Sequence, residues 1–183
     1  MRLYCRAETV SVRRRQFVQC GSAGLVLLAV ARCGGERRSA PAYDAGYAYR
    51  VLSPAQRPAI AAIASAMLLG AIPSGPERDH AIVATVRGVD VAAAALPLGI
   101  QAEFGQLLQL LVNPATRFLT TGITAWEDAG DERVAAFLNR WRFSRFTLLR
   151  SGYDALHQLV MAAWYAQPAA WPAMRYPGPP SIA

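Results

Sequence analysis

FLNRWRFSRFTLLRSGYDALHQLVMAAWYAQPAAWPAMRYPGPP, residues 137–180, holds a large share of the chain's bulky side chains, and its reading decides the rest. From residue 145 to 166 there is no proline, and Phe146, Leu149, Tyr153, Leu156, Leu159, Val160 and Ala163 recur at spacings of three and four. That stripe predicts one long amphipathic helix, roughly 33 Å at about 1.5 Å per residue. The helix must stop near Gln167, because Pro168 lacks an N–H and pushes its predecessor out of the helical region. Beyond it Pro168, Pro172, Pro177, Pro179 and Pro180 alternate with Trp171, Met174 and Tyr176. A tail so rich in proline is expected to have few backbone hydrogen bonds of its own. Its order must then come from burying Trp171 and Tyr176 against this chain's helices or against another chain.

Working back toward the N-terminus, Asp131 and the residues before it read as a turn, and Glu132 opens a helix to Arg142 with Val134, Phe137, Leu138 and Trp141 inside. Residues 118–126, with Phe118, Thr120, Thr121, Gly122 and Trp126, read as a short connecting segment. Phe104, Leu107, Leu108 and Leu111 mark a helix from Pro97 to Asn113-Pro114. A weaker one, with Ile82, Val83, Val86, Val89 and an unfavourable Gly88, runs from about 77–79 to Ala95. Ser53, Pro54 and Gln56 form a start signal of N-cap, first-turn proline and capping-box partner. The helix they open shows one apolar face of Ile60, Ile63, Met67 and Leu68, and Pro58 sits oddly one turn in. No alternating strand pattern is found. The prediction is an all-α, single bundle of about five helices over residues 53–166, with an irregular Pro/aromatic tail at 167–183 and an extended arm or linker at 32–52.

The first 31 residues read as an export signal. Arg13-Arg14-Arg15-Gln16-Phe17 precedes an uncharged run with GLVLLAVA at its heart, and small residues follow at Ala29 and Ala31. About 12 apolar residues fall short of the roughly 20 that span a bilayer. Arg14, Arg15 and Phe17 stand where a twin-arginine signal needs them, although Arg13 and Gln19 replace its usual Ser/Thr and Lys. An ordinary secretory signal with incidental arginines is the alternative. Cleavage is placed after Ala31. Cys33 then remains as a single thiol, which is free, lipidated or paired with another chain but cannot form an internal disulfide.

The chain has 183 residues and a net charge of +7, and all 19 basic residues are arginine. Five of them precede Arg32, so the remainder is close to balanced and shows no basic stripe of the kind nucleic acid selects. His80 and His157 lie in no metal spacing, and neither a CxxCH haem site nor a GxGxxG dinucleotide loop is present. Asp90 lies in an apolar helix and reads as a capping residue or a partner of an arginine, a structural salt bridge being the default. Arg140, Arg142, Arg145 and Arg150 flank Trp141 and Phe143, either as an interface cluster or as a solvated face over a core aromatic.

Trp141, Ser144, Arg150, Ala155-Leu156, Trp164-Tyr165, Pro168, Trp171 and Tyr176-Pro177-Gly178-Pro179 together resemble the small third (gamma) subunit of gluconate 2-dehydrogenase and its relatives. These are accessory subunits of periplasmic flavin dehydrogenases of the glucose-methanol-choline (GMC) type, and the likeness covers most of residues 10–180. The resemblance implies a non-catalytic subunit that brings a leaderless large subunit through the twin-arginine translocase. It places the chain in the periplasm, held at the inner membrane through the complex. FAD would belong to the large subunit and haem c to a possible cytochrome subunit, with no cofactor in this chain. The candidate partner-binding residues are Trp141, Arg145, Arg150, Trp164, Tyr165, Trp171, Tyr176, Pro177, Gly178 and Pro179, with internal closure of the bundle as the alternative for Trp164-Tyr165 and Trp171. A stand-alone periplasmic helical binding protein or lipoprotein is the alternative.

Overall fold

A computed structural model describes residues 46–179. Arg14, Arg15, Phe17, Ala29, Ala31 and Cys33 lie outside the described residues, so the export and cleavage expectations are not addressed by it. Among the described residues the chain is all-helical: α1 (Arg57–Met67), α2 (Pro76–Ala94), α3 (Leu98–Val112), α4 (Pro114–Thr121), α5 (Asp131–Arg142) and α6 (Thr147–Tyr165), followed by 3-10 turns at Pro168–Ala170 and Pro172–Met174.

Helix α1 is the centre of the bundle. Ala59, Ile60, Ala61, Ala62, Ile63, Ala64 and Ser65 are buried in succession, where the sequence predicted a single apolar face. Alanine explains the difference, since its short side chain lets α2, α5 and α6 approach from several directions. The helix also starts later than its sequence signal. Gln56 Oε1 accepts the Ser53 N–H at 2.9 Å, as a capping box requires, but residues 54–56 form a turn and Pro58 lies in the first helical turn. Pro58 is therefore an ordinary helix opener rather than a kink.

The most extensive helix pairing is α2 against α6. At its closest point a Cβ on Gly88 would lie 2.9 Å from the Ala163 Cβ, so the glycine that weakened the helix prediction is what lets the two backbones meet. Residues 114–121, expected as a connection, form a helix because Asn113 ends α3 and begins α4: its Oδ1 accepts the N–H groups of Ala115 and Thr116, and Pro114 supplies the first turn. Among the described residues the bundle of about five helices is thus present with α4 as an additional short one.

The aromatic core runs Trp126–Phe137–Trp141, each successive pair edge to face, 5.8 and 5.6 Å between ring centroids. Trp126 Nε1 donates to the Leu111 carbonyl and Trp141 Nε1 to that of Thr120. The first bond ties α3 to the segment between α4 and α5, and the second ties α4 to α5. Arg78 and Ser65 both bond to Asp131, at 2.7 and 2.6 Å, linking α1, α2 and the start of α5.

Candidate docking surface

The sequence-predicted contact residues separate into buried and exposed sets. Trp141 and Trp164 are each 1% exposed and pack in this chain's own core; Trp164 is thereby corrected from a contact residue to a core residue, and Trp141 offers no more than a sliver of its ring at the floor of a cleft between α3 and α6. Arg150 is half-buried; its Nη1 donates to the Ser144 carbonyl at 2.7 Å and its Nη2 to Thr147 Oγ1 at 3.1 Å, which clamps the turn between α5 and α6. Arg145 is exposed, its guanidinium 4.9 Å from the Phe146 ring centre. Tyr165 is exposed at the end of α6.

The tail is more ordered than its prolines suggested. Its two 3-10 turns close bonds from Ala170 N to Gln167 O and from Arg175 N to Pro172 O, and Tyr176 N donates to Trp171 O. Trp171 is half-buried on the end of α6, with Nε1 donating to the Tyr165 carbonyl at 3.2 Å. Tyr176 stands edge-on to it at 5.4 Å. A Cβ on Gly178, which has φ +101°, would come within 3.0 Å of the same ring, so glycine serves here both the left-handed backbone and the close approach. The tail thus folds on this chain, leaving Tyr176, Met174, Pro177 and Pro179 exposed. Gln167 Nε2 caps the end of α6 through the Ala163 carbonyl and reaches Thr85 on α2.

A cleft that was not anticipated lies on the same helix. Helices α3 and α6 splay apart, and between them opens an apolar groove of about 760 Å³. Ile100, Leu107 and Leu110 line one wall and Leu148, Leu159 and Ala155 the other, while Glu103, Gln106, Ser151 and Gln158 supply polar side chains. Trp141 and Gly152 form part of its lining; a Cβ on Gly152 would lie 3.0 Å from the indole, so a larger residue there would push the helix away. The legible hint was on the third predicted helix, where Leu98, Ile100 and Leu110 fall off the stripe of Phe104, Leu108 and Leu111 that enters the core. Leu98 and Leu148 remain 83% and 75% exposed.

Asp90 is fully buried on α2 and caps backbone N–H groups of the arm rather than forming the salt bridge expected by default. Its Oδ1 accepts the N–H groups of Val51 and Leu52 at 2.9 and 2.8 Å, and its Oδ2 accepts Arg50 N–H at 2.9 Å and the Tyr47 hydroxyl at 3.3 Å. Burial pushes its pKa up, but the three backbone N–H groups outweigh it and hold the carboxyl below its ordinary value. Burial and the neighbouring carboxylate raise the pKa of Tyr47. This carboxylate is a structural strap that accepts four hydrogen bonds from the arm.

No cluster of three or more His, Cys, Asp or Glu side chains with metal-binding geometry occurs among the described residues. His157 stacks on Tyr153 at 5.6 Å, and His80 is exposed on α2. No family model, curated protein or solved structure matches the chain.

Proposed function

We propose that the chain is a non-catalytic small subunit that docks on a larger FAD-containing, GMC-type dehydrogenase subunit and carries it out of the cytoplasm on a twin-arginine signal. The observation that carries this reading is the open apolar groove between α3 and α6, and beyond the end of α6 the tail adds exposed Tyr176 and Met174. An exposed apolar surface of this kind marks a contact site, and a rigid Pro-rich segment loses little entropy on docking. Electrons would pass from substrate to FAD in the large chain, then to a cytochrome c subunit or another acceptor. The paired Arg14 and Arg15 before Phe17 support the export role.

One observation favours a second reading. A cleft of about 760 Å³ falls in the range of small-ligand sites, which suits a stand-alone periplasmic helical protein binding an apolar molecule. Co-expression with a GMC-type dehydrogenase large subunit that lacks its own leader separates the two. On the subunit reading, the purified chain brings a yellow large chain with it, and Arg14→Lys with Arg15→Lys strands both chains and the dehydrogenase activity in the cytoplasm. Normal periplasmic activity in that double variant would rule out carriage, and a colourless, partnerless chain would favour the ligand-binding reading.

A further inference from the structure

We propose that the turn between α5 and α6 docks on an anionic phospholipid bilayer. The turn reads RWRFSRF over residues 140–146, and its two phenylalanines point away from the core: Phe143 is 76% and Phe146 57% exposed, with Leu148 close behind at 75%. Neither ring lines the apolar cleft. The exposure is built in rather than incidental. Ser144 Oγ accepts the Phe146 N–H at 3.1 Å and the Ser144 carbonyl accepts Arg150 Nη1 at 2.7 Å, so the turn cannot fold its rings inward without breaking both.

Charge selects the partner. Residues 133–153 contain Arg133, Arg140, Arg142, Arg145 and Arg150 and no Asp or Glu. Outside that window the described residues carry more acids than arginines, so the excess positive charge is concentrated here. Arg142 lies over the faces of both Phe143 and Tyr153, at 5.2 and 5.8 Å, and Arg145 over Phe146 at 4.9 Å. Among the described residues neither Arg142 nor Arg145 forms a salt bridge with a carboxylate. Aromatic tips ringed by unpaired guanidinium groups fit an interface where the rings enter the acyl boundary and the cations meet lipid phosphates. No helix among the described residues is long and apolar enough to cross a membrane, so the contact is peripheral. It does not depend on the subunit role.

The test is amide hydrogen exchange of the full chain with and without vesicles. The leader's own arginines and apolar run will adsorb to vesicles in every variant, so the readout is local exchange at the turn rather than sedimentation. Vesicles with about 30 mol % phosphatidylglycerol should slow exchange over residues 143–148 at least tenfold, while pure phosphatidylcholine should not. Phe143→Ser with Phe146→Ser, and separately Arg142→Gln with Arg145→Gln, should each abolish that slowing and leave protection of the Phe137–Trp141 core unchanged. No slowing on anionic vesicles, or equal slowing on both lipids, overturns the proposal. Slowing that requires the flavoprotein chain and not the vesicles assigns the turn to a protein interface and also overturns it.

Discussion

Asp90 is the residue whose chemistry is most sharply defined. Its hydrogen bonds to the arm are charge-assisted, and removing the charge while keeping the shape weakens all of them together. Asp90→Asn should cost about 2 kcal/mol near neutral pH, read from urea unfolding. The folded carboxyl titrates below its ordinary 3.8, so its contribution is whole above about pH 4 and drains as pH falls through the folded value. Wild type should therefore lose stability relative to the Asn variant as pH falls below the ordinary carboxylate value and through the lower folded one; parallel curves would show that the strap carries no charge-dependent energy. This role was only half legible. A lone Asp in an apolar helix demands a partner, but composition suggests arginine, whereas the partners are backbone N–H groups that every residue except proline carries and no side-chain pattern reveals.

At the scale of the elements, helix ends were legible where proline or a polar cap fixes them chemically: Pro97, Asn113-Pro114 and Pro168 bound their helices within a residue or so. Two features escaped for opposite reasons. The same Asn113 that stops α3 starts α4, so one signal held two meanings. Gly88 lowers local propensity while enabling a contact 75 residues away at Ala163, and local propensity contains no term for that. The pair Gly88 and Gly105 turns this into a measurement. Both sit inside helices, but a Cβ at Gly105 meets nothing within 4 Å whereas one at Gly88 meets Ala163 at 2.9 Å. Gly105→Ala should stabilise by about 0.5–1 kcal/mol through helix propensity. Gly88→Ala should destabilise by about 1–2 kcal/mol, overpacking outweighing the same gain. Equal shifts in chemical denaturation would mean that α2 and α6 accommodate a methyl group by sliding.

For the whole molecule, the fold class followed from periodicity, but the groove could not, because a stripe tells which face of a helix is apolar and not whether anything covers it. Ala155 lies half-buried in the cleft wall, so Ala155→Glu leaves the closed core alone and places a carboxylate where a partner's apolar surface would sit. It should weaken capture of the flavoprotein at least about tenfold, since a buried unpaired charge is costly, while thermal unfolding of the isolated chain shifts little; undiminished capture would move the interface off the cleft. The strap on α2 has a mechanical consequence too. Residues 47–52 precede α1, so tension applied at residue 46 meets the Asp90 carboxylate before it meets the described helices. It works as a fuse, yielding at a few hydrogen bonds and sparing the packed interior, and pulling from residue 46 should show a first small rupture in wild type that is missing in Asp90→Asn.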